Sequence, residues 1–155
     1  FWHIARCEDV GMTAMVTGKR QVLDEGDWLK KLGLTRRDIA TGMNDGEVAE
    51  FSADVDIHAL LDYSDAVGRR TRETVRSVPP HQWTEVPDQD RLQKLVSQGT
   101  FGPGAGFVIT NFANKPRWWF LRLATTHSQS HIAQASIART MILSTKMAQP
   151  AVASR

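Results

Sequence analysis

Apolar residues recur at three- and four-residue spacing along much of this chain, the period of helices that each bury one face. From Phe1 to Thr17, the residues Ile4, Cys7, Val10, Ala14 and Met15 share one stripe, and Gly18 suits the position just past a helix end. From Val55 to Val78, an inner face is predicted from Ile57, Leu60, Leu61, Ser64, Val67, Gly68, Thr71 and Val75, and Pro79-Pro80 stops the run. Asp62, Asp65, Arg69, Arg70, Arg72, Glu73 and Arg76 mostly take the other side, as on a solvated face with cations toward its C-terminal end. Residues Asp88 to Gln98 predict a short helix ended by Gly99. A last helix begins at Asn114 or Lys115 as cap, with Pro116 in the first turn, and runs unbroken through Trp118 to Gln134 and beyond. Trp118, Trp119, Leu121, Leu123, Ile132, Ile137, Met141 and Ile142 give it bulk, while Ala124, Ala135 and Ala138 permit close approach of neighbours.

Between these runs the period breaks. Leu23 to Asp54 holds two turn-rich clusters flanking short helical pieces near Trp28–Leu32 and Glu47–Phe51. Trp28, Leu29 and Leu32 either pack this segment over the end of the helices and line a pocket, or form a packed connector. Gly99 to Gly106 spaces its glycines suggestively. No strand precedes it and Pro103 interrupts it, so a flexible connector is expected rather than a phosphate cradle. Phe107 to Phe112 then lead into the last helix. From Met147 onward the residues are small, polar and interrupted by Pro150, which predicts a disordered tail over 147–155 beyond a single domain over 1–146.

Composition adds limits. A chain of 155 residues with 41% hydrophobic and 23% charged residues is long enough for one domain with its own core. A net charge of +2 carries no basic stripe, which argues against a nucleic-acid partner. No apolar run approaches the length of a membrane span and no signal peptide is visible, so a cytoplasmic protein without a membrane partner is expected. The single cysteine rules out an internal disulfide.

The candidate chemistry lies in the histidines. His127 and His131 stand four apart, on one face of a helix, where two imidazoles can grip one metal ion. Ser128 follows the first, so the glutamate base of HExxH proteases is absent. Gln134 shares their face. His3 sits among apolar neighbours near the start of the first helix and would complete a three-nitrogen set that leaves coordination positions open, as in working rather than structural metal sites. Cys7, four residues after His3, is either a small buried hydrophobe, a neighbour of the metal, or a thiolate ligand. Glu8 and Asp9 point away from His3 and are expected to be solvated or ion-paired, and His58 and His81 lie outside any motif spacing.

Trp2-His3-Ile4-Ala5, followed far downstream by His127-Ser128-Gln129-Ser130-His131-Ile132-Ala133-Gln134, resembles the DinB/YfiT-like superfamily. The specific part of the likeness is about ten residues in two places, while the layout spans most of the chain. The resemblance implies an all-α four-helix bundle, with a divalent metal held by His3, His127 and His131 and with Gln134 at a position often occupied by glutamine. The family normally places another helix before this point, and the chain opens on Phe1, so the first family helix is expected to be missing from this sequence. Zn²⁺ suits imidazole best, and Ni²⁺, Fe²⁺ and Mn²⁺ are compatible. Family likeness implies a transferase or isomerase acting on a small molecule with a low-molecular-weight thiol. The alternatives are a metal-dependent hydrolase, or a non-catalytic helical module that dimerises. A homodimer is expected in either case.

Overall fold

The computed structural model describes residues 1–148, with side chains to residue 144. It is all-helical, and the described residues contain no strand. The chain begins with α1, Trp2–Glu8, which continues without interruption as a π-helical segment, Asp9–Thr17. This rod is buried on nearly every side, from Trp2 and Ala5 through Val10, Met12, Met15 and Val16. A helix apolar all round belongs at the centre of its neighbours, and this one does. It stops at Gly18, whose φ of 70° is the left-handed conformation that glycine adopts at little cost.

The connector carries a 3₁₀ turn at Val22–Asp24, then α2 (Trp28–Leu32) and α3 (Asp45–Asp54). α3 opens with a reciprocal cap: the Asn44 side chain accepts from the Glu47 N–H, and Glu47 accepts from the Asn44 N–H. Trp28 stacks near Tyr63 at 5.5 Å between ring centroids, so α2 packs on the neighbouring helix.

That helix is α4, Ile57–Ser77, capped by the Asp56 carboxylate accepting from the Ala59 N–H. Its buried face is Leu60, Tyr63, Val67, Thr71 and Thr74. Leu60, Val67 and Thr71 are inside as expected, while Ile57, Leu61 and Val75 are 55%, 49% and 45% exposed and Tyr63 and Thr74 take their place. At 100° per residue the buried face is turned by about 60° from the expected one. Tyr63 decides between the two, since its hydroxyl is needed inside.

After a 3₁₀ turn at Pro80–Thr84 come α5 (Asp90–Ser97) and α6 (Gly106–Phe112), a helix of its own rather than a lead-in. The segment expected to be a flexible connector is packed instead: Thr100, Phe101 and Ala105 are buried, and Gly42 lies against Gly104. Phe112 meets Phe101, Trp119 and Phe120 edge-on at 5.2–5.8 Å between centroids. Such contacts add to the burial of large aromatic rings.

The last helix is two, not one. α7 spans Arg117–Ala124 and α8 spans Thr126–Ala148, with Thr125 at φ −125° and ψ −96° between them. Thr125 Oγ1 donates to the Leu121 carbonyl at 2.9 Å and Ser128 Oγ to the Leu123 carbonyl at 2.8 Å. Side-chain hydroxyls thus occupy carbonyls at the junction and offer the backbone an alternative to a straight helix. α7 lies across the π-helical segment, so close that a Cβ on Gly11 would fall on the Leu123 side chain. α8 is described to Ala148, and residues 149–155 of the expected tail lie outside the described residues. No helix of the described residues is long and apolar enough to cross a membrane.

Candidate metal centre

α1 brings His3 to the junction of α7 and α8, where His127 and His131 stand one turn apart. His127 Nε2 lies 3.3 Å from His3 Nε2 and 3.2 Å from His131 Nε2. The three ring centroids are mutually 4.6–5.1 Å apart. The turn at Thr125 sets where α8 starts and so where this pair sits.

The backbone around the site orients the rings. His3 Nδ1 is 2.6 Å from the Ile39 carbonyl oxygen, which can only accept, so Nδ1 carries the proton and the Nε2 lone pair is free. His131 Nδ1 is paired in the same manner with Gln134 Oε1 at 2.9 Å, which gives Gln134 the orienting contact. His127 Nδ1 is buried with no hydrogen-bond partner among the described residues. Two nitrogen lone pairs therefore converge on the third nitrogen from different directions. One N–H on His127 cannot point at both. Nitrogens held at about 2.0–2.1 Å around a tetrahedral ion lie about 3.4 Å apart. The two measured separations are close to that.

Electrostatics favour the neutral, ligating form. Burial pushes the His3 pKa below its ordinary value, partly offset by the Ile39 carbonyl and reinforced by His131. His127 is lowered to about 4, by burial first and then by the charges of His3, His131 and Arg122.

Cys7 adds a second ligand type. It is buried, and burial pushes its thiol pKa up to about 12 against the lowering pull of Arg6. Ligand atoms of His3, Cys7 and His127 all lie within 4.8 Å of one another, a group that could hold a metal ion. The sulfur is 3.7 Å from His3 Nε2 and 3.8 Å from Nδ1. Near-equal distances place it on the plane bisecting the two nitrogens, not along the Nε2 lone pair. His131 is not part of that group and reaches it through His127, at 3.2 Å between the two Nε2 atoms. His58 and His81 are exposed and stand apart.

Three features of the site carry no motif in the sequence. The first is the segment 37–39, whose three consecutive carbonyls accept from α1: Arg37 from Arg6 at 2.9 and 3.1 Å, Asp38 from Trp2 Nε1 at 3.0 Å, and Ile39 from His3. The second is what holds Arg6, which is fully buried against Asp9 at 3.2 Å, Tyr63 Oη at 3.1 Å and Gln21 Oε1 at 2.8 Å. Asp9 is ion-paired as expected but is fully buried, and its carboxylate also accepts from Tyr63, Val22 N and Leu23 N. An Arg–Asp pair at i,i+3 inside an otherwise apolar helix was the available signal. The third is Arg122, discussed below. Of the two readings of Trp28, Leu29 and Leu32, the packed connector holds, and Ile39, Ala40, Thr41 and Gly42 wall a cavity of about 590 Å³ opening onto the histidines.

Fold and site together define an all-helical protein with a candidate metal centre. The chain matches no protein-family model, and no curated protein or solved structure at a significant level.

Proposed function

We propose that this chain is a metal-dependent enzyme of the DinB/YfiT-like four-helix-bundle type, in which His3, His127 and His131 hold one divalent cation, Zn²⁺ by preference. The observation that carries the reading is that His3 Nε2 and His131 Nε2 lie 3.3 and 3.2 Å from His127 Nε2, with both rings paired at Nδ1. A cavity of about 590 Å³ beside them supports an enzyme over a helical module with a purely structural ion, because a working metal needs an open position and a way in. A bound cation would supply Lewis acidity and lower the pKa of a coordinated water or thiol.

The chain's own residues do the rest. Ile39 and Gln134 keep His3 and His131 in the ligating tautomer, and the apolar walls of Phe112, Trp119 and Leu123 thin the water around the imidazoles. The reaction proposed is transfer to, or isomerisation of, a small molecule with the help of a low-molecular-weight thiol. The short motifs around His3 and His127–Gln134 support that choice over hydrolysis.

Metal analysis of protein made without a histidine tag tests the reading. One equivalent of Zn²⁺ per chain, lost in His127→Ala and in His131→Ala with helicity retained, is the expected result. A folded wild-type protein that takes up no metal from a Zn²⁺, Ni²⁺, Fe²⁺ or Mn²⁺ buffer overturns it.

A further inference from the structure

The cavity beside the histidines is chemically one-sided. Its walls carry Arg122 and three imidazoles but no aspartate or glutamate. Arg122 follows Trp119 by one turn of α7, and its guanidinium carbon lies 4.6 Å from the Trp119 ring centroid. Stacking of this kind steadies the planar head group and leaves its N–H edges free to meet a planar acceptor. No described residue gives those N–H groups a hydrogen bond or an ion pair. Thr41, whose buried hydroxyl has no hydrogen-bond partner among the described residues, lines the same cavity. Asn111 adds one amide to the lining, and the rest of the wall is largely apolar, with Phe107, Trp119 and Leu123.

An unpaired guanidinium at the rim, an apolar middle and a ligand set at the floor describe a molecule with an anionic end and an apolar body. A single planar fork with one hydroxyl suits a carboxylate. Phosphate groups draw on several cations or a row of backbone N–H groups, which this wall lacks. We infer that the cavity takes a small organic carboxylate with an aromatic or aliphatic body, its carboxylate paired with Arg122 and its body against Trp119. The inference rests on the metal-site reading, because the three imidazoles set the other end of the cavity.

The test compares 3-phenylpropionate with 3-phenylpropionamide, titrated calorimetrically into the full chain holding one equivalent of Zn²⁺ at low ionic strength. The two probes share shape and differ in charge. The acid is expected to bind about fivefold more tightly than the amide. Arg122→Gln should abolish the preference and Arg122→Lys should keep part of it, with Zn²⁺ uptake unchanged in both. Equal binding of the two probes overturns the inference, and so does a preference that persists in Arg122→Gln, which would place the anion on the metal alone. If the wild-type protein takes up no Zn²⁺, it is the metal reading that fails. The same pair titrated into metal-free protein then decides the role of Arg122 by the same criterion.

Discussion

Replacing Asp9 by asparagine removes one charge from the centre of the molecule and leaves its shape unchanged. Arg6 and Asp9 are both fully buried and 3.2 Å apart. In the wild-type protein one carboxylate oxygen, Oδ2, accepts from Arg6, Tyr63 and Leu23 N, and the other accepts from Val22 N. An asparagine keeps one acceptor for Val22 and turns an N–H₂ group toward three donors. Removing one partner of a buried pair typically costs about 3–5 kcal/mol, because the remaining ion keeps its desolvation cost and loses its compensation. That is a large share of the roughly 5–15 kcal/mol that stabilises a domain of this size. Tyr63→Phe is the control: it deletes one hydroxyl and leaves the ion pair in place, at a cost of about 1 kcal/mol. Urea unfolding followed by far-ultraviolet circular dichroism gives both values, with the midpoint falling and the slope unchanged. The reasoning is refuted if Asp9→Asn costs less than about 1 kcal/mol, or no more than Tyr63→Phe.

Three further predictions concern the site. In metal-free protein, His127 titrates near 4 when folded and near 6.5 when unfolded, so the unfolded chain binds more protons between those values. Stability should therefore fall as pH drops from about 6.5 toward about 4, and His127→Gln should flatten that slope in pH-dependent urea melts. Cys7 should resist iodoacetamide at pH 8 in the folded protein and react once unfolded, as followed by intact mass, because its buried thiol holds its proton up to about 12. Ala40 sits at φ 56° beside the His3 anchor, so Ala40→Gly should leave metal uptake intact and raise thermal stability by about 0.5–1 kcal/mol; a lower melting temperature contradicts the strain argument.

The sequence pattern reached the long helices because each carries an apolar stripe and a marked end: Gly18 after the first, Pro79-Pro80 after α4, Pro116 before α7. It placed Leu60, Val67 and Thr71 inside but set the face of α4 off by part of a turn, because Ile57, Leu61 and Val75 also read as apolar while Tyr63 is drawn in by the Arg6–Asp9 pair. It joined α7 to α8 because Ala124-Thr125-Thr126 contains neither glycine nor proline. The competing hydroxyls of Thr125 and Ser128 leave no periodic trace. α6 was hidden by its length of 7 residues and by the glycine-rich turn before it. The four-residue spacing pointed to His127 and His131, but nothing local pointed to Ile39, whose part is played by a backbone carbonyl. Arg122 has no motif in the sequence, and what sets it apart is the Trp119 ring beneath its guanidinium.

X-ray absorption at the metal edge of Zn²⁺-loaded protein tests the central claim most directly, because Zn–N and Zn–S distances differ by about 0.2–0.3 Å. Three imidazole nitrogens at about 2.0–2.1 Å, a light-atom ligand completing the shell and no sulfur is the predicted spectrum. A sulfur shell at about 2.3 Å that vanishes in Cys7→Ser would put Cys7 in the place given to His131, and a shell of oxygens alone would contradict the histidine site altogether.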